Sequence, residues 1–212
     1  CAASLLAVCT AGRALSMGDM NVALVGGVDL SIDPFELVGF SRAGALSRGD
    51  MNVYDKSAAG FIAGEGCGFV VMKRLDDARR DGDQIYAVMN GWGVSSDGKG
   101  GIMTPSSSGQ AMAIRRAYES ASYSPADLDF VEGHGTGTRV GDQIELKGVF
   151  EAQTNGKPAP HRRTGMTSLK SIIGHTKAAA GIGAFIKATM AVNRRVLPPT
   201  GSCTEPNPVF HD

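Results

Sequence analysis

Apolar and polar residues alternate along the chain with two periods, one typical of helices and one of strands. Helical spacing marks residues 1–16, 107–121 and 141–152. Short apolar runs predict strands, and these are MNVALVGGVDL, GCGFVVMKRL, QIYAVMNGWGVSSDG, DLDFVEG and MTSLKSIIG. Strands that alternate with helices predict an α/β layered fold. The helices that follow Cys1 and His175 are rich in Ala and Gly, so we expect them to pack closely between layers.

The composition is that of an ordinary globular protein. The chain has 212 residues, of which 42% are hydrophobic and 20% charged, enough for one large domain or part of one. Its 21 Lys and Arg balance its 21 Asp and Glu, which argues against a nucleic-acid or anionic-membrane partner. The most apolar helical stretch, AAAGIGAFIKATMAV, contains Lys187 and is too short to span a membrane. Four cysteines without a CxxC pair indicate reduced thiols and a cytoplasmic location.

Three residues capable of covalent or hydrogen-bonding catalysis lie beside predicted turns. Cys1 opens the first helix, His134 follows the strand DFVEG, and His175 follows the strand MTSLKSIIG. In open α/β sheets, ligands gather at the carboxyl ends of the strands. A helix N-terminus favours a thiolate, and two histidines can donate hydrogen bonds to a developing negative charge. Lys170, five residues before His175, is placed to bias the protonation of a neighbouring group.

The same residues also allow plainer interpretations. A cysteine flanked by small residues is often a core thiol, and a histidine after a strand is often structural. A zinc site needs four ligands at closer spacing than Cys1, His134 and His175 have, so no metal is predicted. The segment GHGTGTRVG resembles a phosphate-binding loop but lacks the lysine of a P-loop. Pattern and spacing alone therefore leave an α/β domain that is either a thiol enzyme or a structural module in which Cys1 is only a core residue.

Three sequence blocks, taken in order, change this picture. They are CAASLLAV, VEGHGTGTRVGDQIE and SLKSIIGHTKAAAGIGAFIKA, and they resemble the active-site blocks of β-ketoacyl synthases, the condensing enzymes of polyketide and fatty acid biosynthesis. The connecting segments also resemble that family, so the resemblance covers essentially the whole chain. DPFELVGFSRAGALS, GWGVSSDGKGGI and EGHGTGT are most similar to iterative type I polyketide synthases of the enediyne kind. Polyunsaturated-fatty-acid and glycolipid synthases are close competitors.

The resemblance implies a thiolase-like, layered α-β-α-β-α fold that forms a homodimer. It also implies a decarboxylative Claisen condensation, in which an acyl chain bound to Cys1 is extended by a malonyl group. His134 and His175 would stabilise the enolate that forms when carbon dioxide leaves. Lys170 would support the two histidines electrostatically.

The resemblance further implies an acyl carrier protein as partner. Thr136 and Thr138 match the turn that lines the channel for the carrier's phosphopantetheine arm. Because that arm belongs to the carrier protein, the domain itself needs no cofactor. The arginine pairs at 115–116 and 162–163 are the most basic local pairs. We expect them on the solvated surface, with carrier-protein docking as the alternative.

Two alternatives share this fold. A non-elongating module that only transfers chains usually lacks the histidine of HGTGT, and His134 is present. A thiolase-type enzyme that acts on coenzyme A thioesters usually has a second cysteine late in the chain. Cys203 lies in the Pro-rich segment LPPTGSCTEPNP and matches that position poorly.

Several features depart from the family pattern. The residue after GHT is often Glu or Gln, but here it is Lys177, which removes one source of an acidic partner for Lys170. The strands that precede the cysteine and a GFGGTN-like block after the Pro-rich segment do not occur. We therefore expect an internal fragment that is inactive alone. In that fragment residues 1–80 would end the N-terminal half of the domain, and 81–212 would form most of the C-terminal half.

Overall fold

The computed structural model describes residues 1–98, 104–154 and 164–211. Its helices are α1 (Ala3–Met17), α2 (Pro34–Arg42), α3 (Leu75–Asp81), α4 (Ser107–Ala121), α5 (Arg139–Thr154), α6 (Lys170–Ile173) and α7 (Ala180–Arg194). Its strands are β1 (Val22–Asp29), β2 (Gly66–Lys73), β3 (Phe130–Glu132) and β4 (Gly165–Thr167). Short 3-10 turns lie at Pro125–Asp127, Lys177–Ala179 and Pro208–His211. None of the helices in these described ranges is both long and apolar enough to cross a membrane.

Two pairs of strands form the sheets. β1 and β2 are antiparallel, with Val22 opposite Lys73 at one end of the pair. β3 and β4 are parallel, with Phe130 opposite Gly165. The carboxyl end of β3 leads directly into the turn that contains His134, as expected for a functional residue in an α/β fold.

Two apolar clusters form the core. The first lies where α1 and α7 cover β1, and the second is formed by the segment that joins α2 to β2 where it packs against α5. Burying these side chains removes apolar surface from water, the main favourable term in folding. The first cluster contains Val8, Ala11, Leu15, Ala23, Val25, Ala179 and Ile182. The second contains Ala45, Met51, Val53, Tyr54, Phe61 and Leu146.

Small residues bring α1 and α7 close together, as the composition predicts. A Cβ added to Gly181 would lie 2.9 Å from the backbone nitrogen of Leu5, so a larger residue would push the helices apart. The Ile182 amide donates to Ser4 Oγ at 3.0 Å. Since Ser4 lies in the first turn of α1, this hydrogen bond fixes the helix end that begins after Cys1 against α7.

Local signals explain where several helices begin and end. Asp33 precedes α2, and its side chain accepts a hydrogen bond from the Glu36 amide at 2.9 Å, while Pro34 starts the helix. Ser106 caps α4 in the same way. α1 ends at Met17 and is followed by Gly18, whose φ of 82° is readily adopted by glycine.

The predicted strand QIYAVMNGWGVSSDG is wrong, because residues 84–98 form no strand in the structure. The segment lies along α4 instead. The Trp92 amide donates to Ser120 Oγ at 3.0 Å, and the guanidinium of Arg116 donates to the Val94 carbonyl at 2.6 Å. Side chains of a helix thus satisfy backbone groups that a neighbouring strand would satisfy in a sheet.

The predicted strand MTSLKSIIG is only partly correct. β4 ends at Thr167, and the single-turn helix α6 replaces the rest of the predicted strand. α6 ends at Ile173 and is followed by Gly174, whose φ is 75°. A Cβ at this position would lie 2.8 Å from the Ile62 carbonyl oxygen, so glycine allows the close approach that precedes His175.

Candidate active site

The structure brings the three predicted reactive residues together. The Cys1 sulfur and one ring nitrogen from each of His134 and His175 lie within 4.8 Å of one another. The two imidazole rings are 5.4 Å apart between centroids and nearly perpendicular. Cys1 lies at the start of α1, beside both imidazoles, which favours a reactive thiol over a core thiol. These residues come from three distant parts of the chain and converge on one small site.

His175 is buried and held in a defined tautomer. Its amide donates to the Ile62 carbonyl at 2.7 Å, and its carbonyl accepts from the Gly64 amide at 3.0 Å. The Lys177 amide donates to Nδ1 of His175 at 2.9 Å. Because Nδ1 accepts this bond in the neutral ring, the proton must lie on Nε2. His175 therefore presents Nε2–H as a hydrogen-bond donor.

The backbone of the turn that carries His134 is bound by a negative side chain, Glu145, and by a positive one, Lys170. The carboxylate of Glu145 accepts hydrogen bonds from the amides of His134 and Gly135, the latter at 2.8 Å. On the other side, the ammonium of Lys170 donates to the His134 carbonyl at 2.6 Å. The Ser168 hydroxyl donates to the same carbonyl at 3.3 Å. Hydrogen bonds to charged groups are stronger than neutral ones, so the backbone of this turn is firmly positioned.

Lys170 is buried next to this turn. Burial lowers the pKa of its ammonium, and the negative charges of Glu145, Glu132 and Asp142 oppose that effect. The direct hydrogen-bond acceptor of the ammonium is the backbone carbonyl of His134 rather than an acidic side chain. Lys170 thus lies where its positive charge acts on both histidines.

Both histidines are neutral near pH 7. Burial, followed by the positive charge of Lys170, lowers the pKa of His175 to about 3. The same two causes lower the pKa of His134. His134 keeps exposed surface, so water screens part of the effect there, whereas His175 is only 2% exposed. A neutral imidazole donates a hydrogen bond but is too weak an acid to give up its proton readily.

Lowering the pH is expected to destabilise the protein through His175. Its pKa is about 3 when folded and near 6.5 when unfolded, so only the unfolded chain takes up the proton between these values. Its contribution to stability is complete above pH 6.5 and is lost as the pH falls toward 3, by about 1.4 kcal/mol per pH unit. Urea unfolding of the full-length polypeptide at several pH values measures this slope. His175→Gln is the comparison, and an equal slope in both proteins would contradict the assignment.

Thr136 and Thr138 lie on the turn between His134 and α5. Their hydroxyl oxygens are 2.8 Å apart and share one hydrogen bond. The Thr138 carbonyl accepts from the Asp142 amide at 3.0 Å at the start of α5. The two threonines are half-buried, so part of each side chain remains accessible beside the site. Their contact with a pantetheine arm stays a prediction.

Sequence reasoning missed the residues that support this turn. Besides its bonds to the turn, Glu145 accepts a hydrogen bond from the Tyr54 hydroxyl at 2.8 Å. Asp142, one helical turn earlier, accepts from the amides of Tyr54 at 2.7 Å and Gly137 at 3.0 Å, while burial raises the pKa of Asp142 to about 6. Because Asp142 and Glu145 are one helical turn apart, the sequence could have indicated that both acids lie on the same face of α5. No feature of the sequence indicated that Tyr54 contacts Glu145, which lies 91 residues away.

Replacing Glu145 by Ala tests this support. We expect the free energy of unfolding to fall by about 2–4 kcal/mol, because three hydrogen-bond donors lose a charged acceptor. Denaturant unfolding of the full-length polypeptide measures the change. Glu119→Ala, at an exposed position on α4, is the control and is expected to stay within about 0.5 kcal/mol of wild type. Equal effects in the two variants would contradict a special role for Glu145.

The spacing of Cys1, His134 and His175 also resembles a metal-binding set, but the hydrogen bonds of His175 disfavour a metal. A histidine that binds a metal through Nε2 normally donates a hydrogen bond from Nδ1–H. Here Nδ1 accepts a hydrogen bond from the Lys177 amide, so the proton occupies Nε2. Binding a metal would require breaking that bond or removing the proton. A site without metal remains our prediction.

Other candidate residues lie outside this cluster. Cys203 is half-buried, and its thiol contacts the Tyr54 carbonyl at 3.6 Å, so it does not join Cys1 as a second reactive thiol. Arg115 donates to the Glu151 carbonyl at 3.0 Å, and Arg116 is bound to the Val94 carbonyl. These bonds favour a structural role for the pair at 115–116. The pair at 162–163 lies outside the described residues.

Comparison with protein families gives two adjoining matches. The beta-ketoacyl synthase N-terminal domain matches residues 1–78, and the beta-ketoacyl synthase C-terminal domain matches residues 86–204. A curated relative, a phenolphthiocerol/phthiocerol polyketide synthase of Mycobacterium tuberculosis, is 41% identical over 210 residues. The match includes 98% of this chain but only 11% of the relative. The chain thus spans a small part of the length of that polyketide synthase.

Solved structures give the same result. The ketosynthase from module 6 of the bacillaene synthase from Bacillus subtilis 168 is 40% identical, with a TM-score of 0.94. That match covers 99% of this chain and 38% of the solved one. The PfaC keto synthase–chain length factor is 35% identical with a TM-score of 0.90, over 97% of this chain and 22% of the other. The predicted thiolase-like α/β fold is therefore confirmed.

Proposed function

The chain belongs to the beta-ketoacyl synthase family, and from that premise we propose that it catalyses decarboxylative condensation between an acyl group on Cys1 and a malonyl group on an acyl carrier protein. The observation that carries this proposal is the convergence of the Cys1 sulfur with the ring nitrogens of His134 and His175 within 4.8 Å. A thiol nucleophile beside two neutral hydrogen-bond donors suits a reaction that builds an acyl thioester and then an enolate.

The first half-reaction is acyl transfer. The Cys1 thiolate attacks the carbonyl carbon of an acyl thioester on the carrier protein. A tetrahedral oxyanion forms and collapses, the carrier's thiolate leaves and takes a proton, and the acyl group remains on Cys1. Cys1 lies at the N-terminus of α1, a position that favours the thiolate form of its side chain.

The second half-reaction forms the carbon–carbon bond. A malonyl thioester loses carbon dioxide, and the electron pair of the broken bond becomes an enolate. Hydrogen bonds from His134 and from Nε2–H of His175 stabilise the enolate oxygen. The enolate carbon attacks the thioester carbonyl on Cys1, and the Cys1 thiolate leaves. The product is a β-ketoacyl chain on the carrier protein.

Neutral histidines suit this step for a simple chemical reason. An imidazolium beside the enolate would protonate it and end the reaction as a simple decarboxylation. A neutral imidazole stabilises the oxygen without quenching the nucleophilic carbon. Lys170 contributes because its positive charge lowers the pKa of both rings and so disfavours the imidazolium form.

Several finer assignments belong to the same proposal. The motifs favour an iterative type I polyketide synthase of the enediyne kind, acting as a homodimer in the cytoplasm without a cofactor of its own. Thr136 and Thr138 would line the path of the pantetheine arm. The boundary near residue 80 would divide the N-terminal from the C-terminal half of the domain.

The test uses the full-length polypeptide with an acyl thioester and malonyl-loaded carrier protein. Intact-mass measurement follows acylation of Cys1, and product analysis follows the β-ketoacyl chain and carbon dioxide. Condensation with release of carbon dioxide supports the proposal. Acylation without a new carbon–carbon bond would identify a chain-transfer module, and condensation of coenzyme A thioesters without malonyl would identify a thiolase-type enzyme. A folded protein that is never acylated would overturn all three.

A further inference from the structure

Lys177 adopts an unusual backbone conformation directly after the active-site histidine. Its φ is 45°, in the left-handed region that non-glycine residues rarely occupy. Such a conformation costs on the order of 1–3 kcal/mol and persists only when the surroundings hold it. Lys177 is nevertheless buried and ordered within the 3-10 turn Lys177–Ala179. Some other interaction must therefore stabilise this turn.

An ion cluster with little exposed surface surrounds the buried Lys177 ammonium. Nζ lies 3.3 Å from a carboxylate oxygen of Asp29 and 3.1 Å from one of Glu36. It also donates to the Gly64 carbonyl at 3.0 Å. The side chains of Lys177 and Asp29 are 9% and 10% exposed, and that of Glu36 is 20% exposed. Charges this far removed from water interact strongly, and removing one partner leaves the others uncompensated.

The same cluster also binds the backbone of the turn Lys177–Ala179. The second carboxylate oxygen of Asp29 accepts a hydrogen bond from the Ala178 amide at 3.0 Å. The Lys177 side chain and the next amide are thus both bound to Asp29 at the end of β1. The Asp29–Ala178 bond fixes the peptide plane that follows Lys177, and the ion pairs fix the Lys177 side chain. Together they hold the Lys177 backbone conformation in which its amide donates to Nδ1 of His175.

The cluster also joins α2 to the active site. Glu36 lies in the first turn of α2, and Ser31 contacts both acids, with its hydroxyl 2.5 Å from Asp29 and 3.3 Å from Glu36. No α2 residue is buried. The Glu36–Lys177 ion pair is therefore a substantial contact between this exposed helix and the turn after His175.

We propose that Lys177 is a positioning residue, whose ion cluster with Asp29 and Glu36 holds the turn in its left-handed conformation and thereby fixes His175 as the Nε2–H tautomer. The importance of this tautomer for condensation rests on the proposed function, but the tautomer itself does not. Lys177 acts through its own backbone amide rather than by touching substrate.

Two substitutions separate the effect of the Lys177 charge from the effect of its backbone conformation. Lys177→Met removes the charge and keeps a side chain that disfavours positive φ. Lys177→Gly removes the charge too, but glycine adopts positive φ without strain. If the lysine acts by holding the backbone, the glycine variant retains the tautomer and the methionine variant loses it. If Lys177 acted on His175 only through its charge, both variants would change the His175 tautomer to the same extent.

The measurement is the tautomer of His175, read from the ring nitrogen shifts of the full-length polypeptide labelled with 15N-histidine. We expect Nε2–H in wild type and Lys177→Gly, and a mixture of tautomers in Lys177→Met. The condensation kcat is expected to fall about tenfold or more in Lys177→Met, with acylation of Cys1 unchanged. Lys56→Met, which breaks the exposed ion pair with Glu205, is the matched control and is expected to match wild type.

A further variant keeps the test decisive if Lys177→Met does not fold. Combining it with Asp29→Asn and Glu36→Gln removes the carboxylate charges that would be left without the lysine, and the proposal still expects mixed tautomers. A pure Nε2–H tautomer in a folded methionine variant, or loss of the tautomer in both Met and Gly variants, would overturn the proposal. Wild-type protein with the expected tautomer but no condensation would instead count against the proposed function and leave the role of Lys177 intact.

Discussion

Replacing Cys1 by Ala is expected to abolish acyl loading of the protein and to reduce condensation on the order of 10⁴-fold or more. The alanine side chain has no nucleophile, so the acyl-enzyme thioester cannot form. His134 and His175 remain in place and can still stabilise an enolate, but that enolate has no electrophile to attack. The measurement combines the intact mass of the full-length polypeptide after incubation with an acyl thioester and the rate of β-ketoacyl product formation.

Cys67→Ala is the matched control for this experiment. Cys67 is also an exposed free thiol, but it lies on β2, outside the cluster of Cys1 and the two histidines. We expect this variant to be acylated like wild type. If Cys1→Ala still gained the acyl mass, or if the acyl group followed Cys67, the nucleophile would be misassigned.

The sequence predicted the site residues whose role can be inferred from the residues directly around them. Cys1 before a helix, and His134 and His175 at turns, belong to blocks whose order along the chain is distinctive. The structure brings the Cys1 sulfur and one ring nitrogen of each histidine within 4.8 Å of one another. Lys170 was also expected near the histidines, and its ammonium does reach the His134 carbonyl.

The residues that hold the site depend on contacts far apart in sequence. Tyr54 binds Glu145, and Lys177 binds Asp29, across 91 and 148 positions respectively, so no local pattern reveals either pair. Lys177 looked like a departure from the family pattern that only removed an acidic group. Its two acidic partners, Asp29 and Glu36, are recognised only when the structure places the end of β1 and the start of α2 beside the turn after His175.

The failed strand predictions have a similar physical origin. Residues 84–98 have a strand-like composition, but the structure satisfies part of their backbone with side chains of α4. The stretch from Lys170 to Ile173 is partly apolar, but it forms the short helix α6. This helix places the Lys170 ammonium within hydrogen-bonding distance of the His134 carbonyl. Local propensity was overridden in both places by tertiary contacts. In the second case the override also positions a residue of the candidate site.

The two histidines occupy unequal environments, which bears on how their roles can be separated. His175 is enclosed, and backbone bonds hold both its main chain and its ring, so its substitution disturbs packing as well as chemistry. His134 is exposed, and its backbone rather than its ring is held by Glu145 and Lys170. Substituting His134 therefore isolates the imidazole from the fold more cleanly.

His134→Ala is expected to separate the two half-reactions. Acylation of Cys1 should proceed at close to the wild-type rate, because the thiol and the start of α1 do not depend on this ring. Condensation should fall by about 10²- to 10³-fold, the usual cost of losing one hydrogen-bond donor to a developing oxyanion. Rapid-quench measurement of acyl-enzyme and of β-ketoacyl product in the full-length polypeptide gives the two rates.

His134→Asn provides the matched comparison, because an amide N–H can replace the imidazole donor without its ring. If hydrogen bonding to the enolate is the role of His134, the asparagine variant should recover part of the lost condensation rate. If alanine and asparagine variants fail equally at acylation, His134 instead acts on Cys1 as a base. If both condense like wild type, His175 alone stabilises the enolate, and the Lys177 amide that fixes its tautomer becomes the more important support of the reaction.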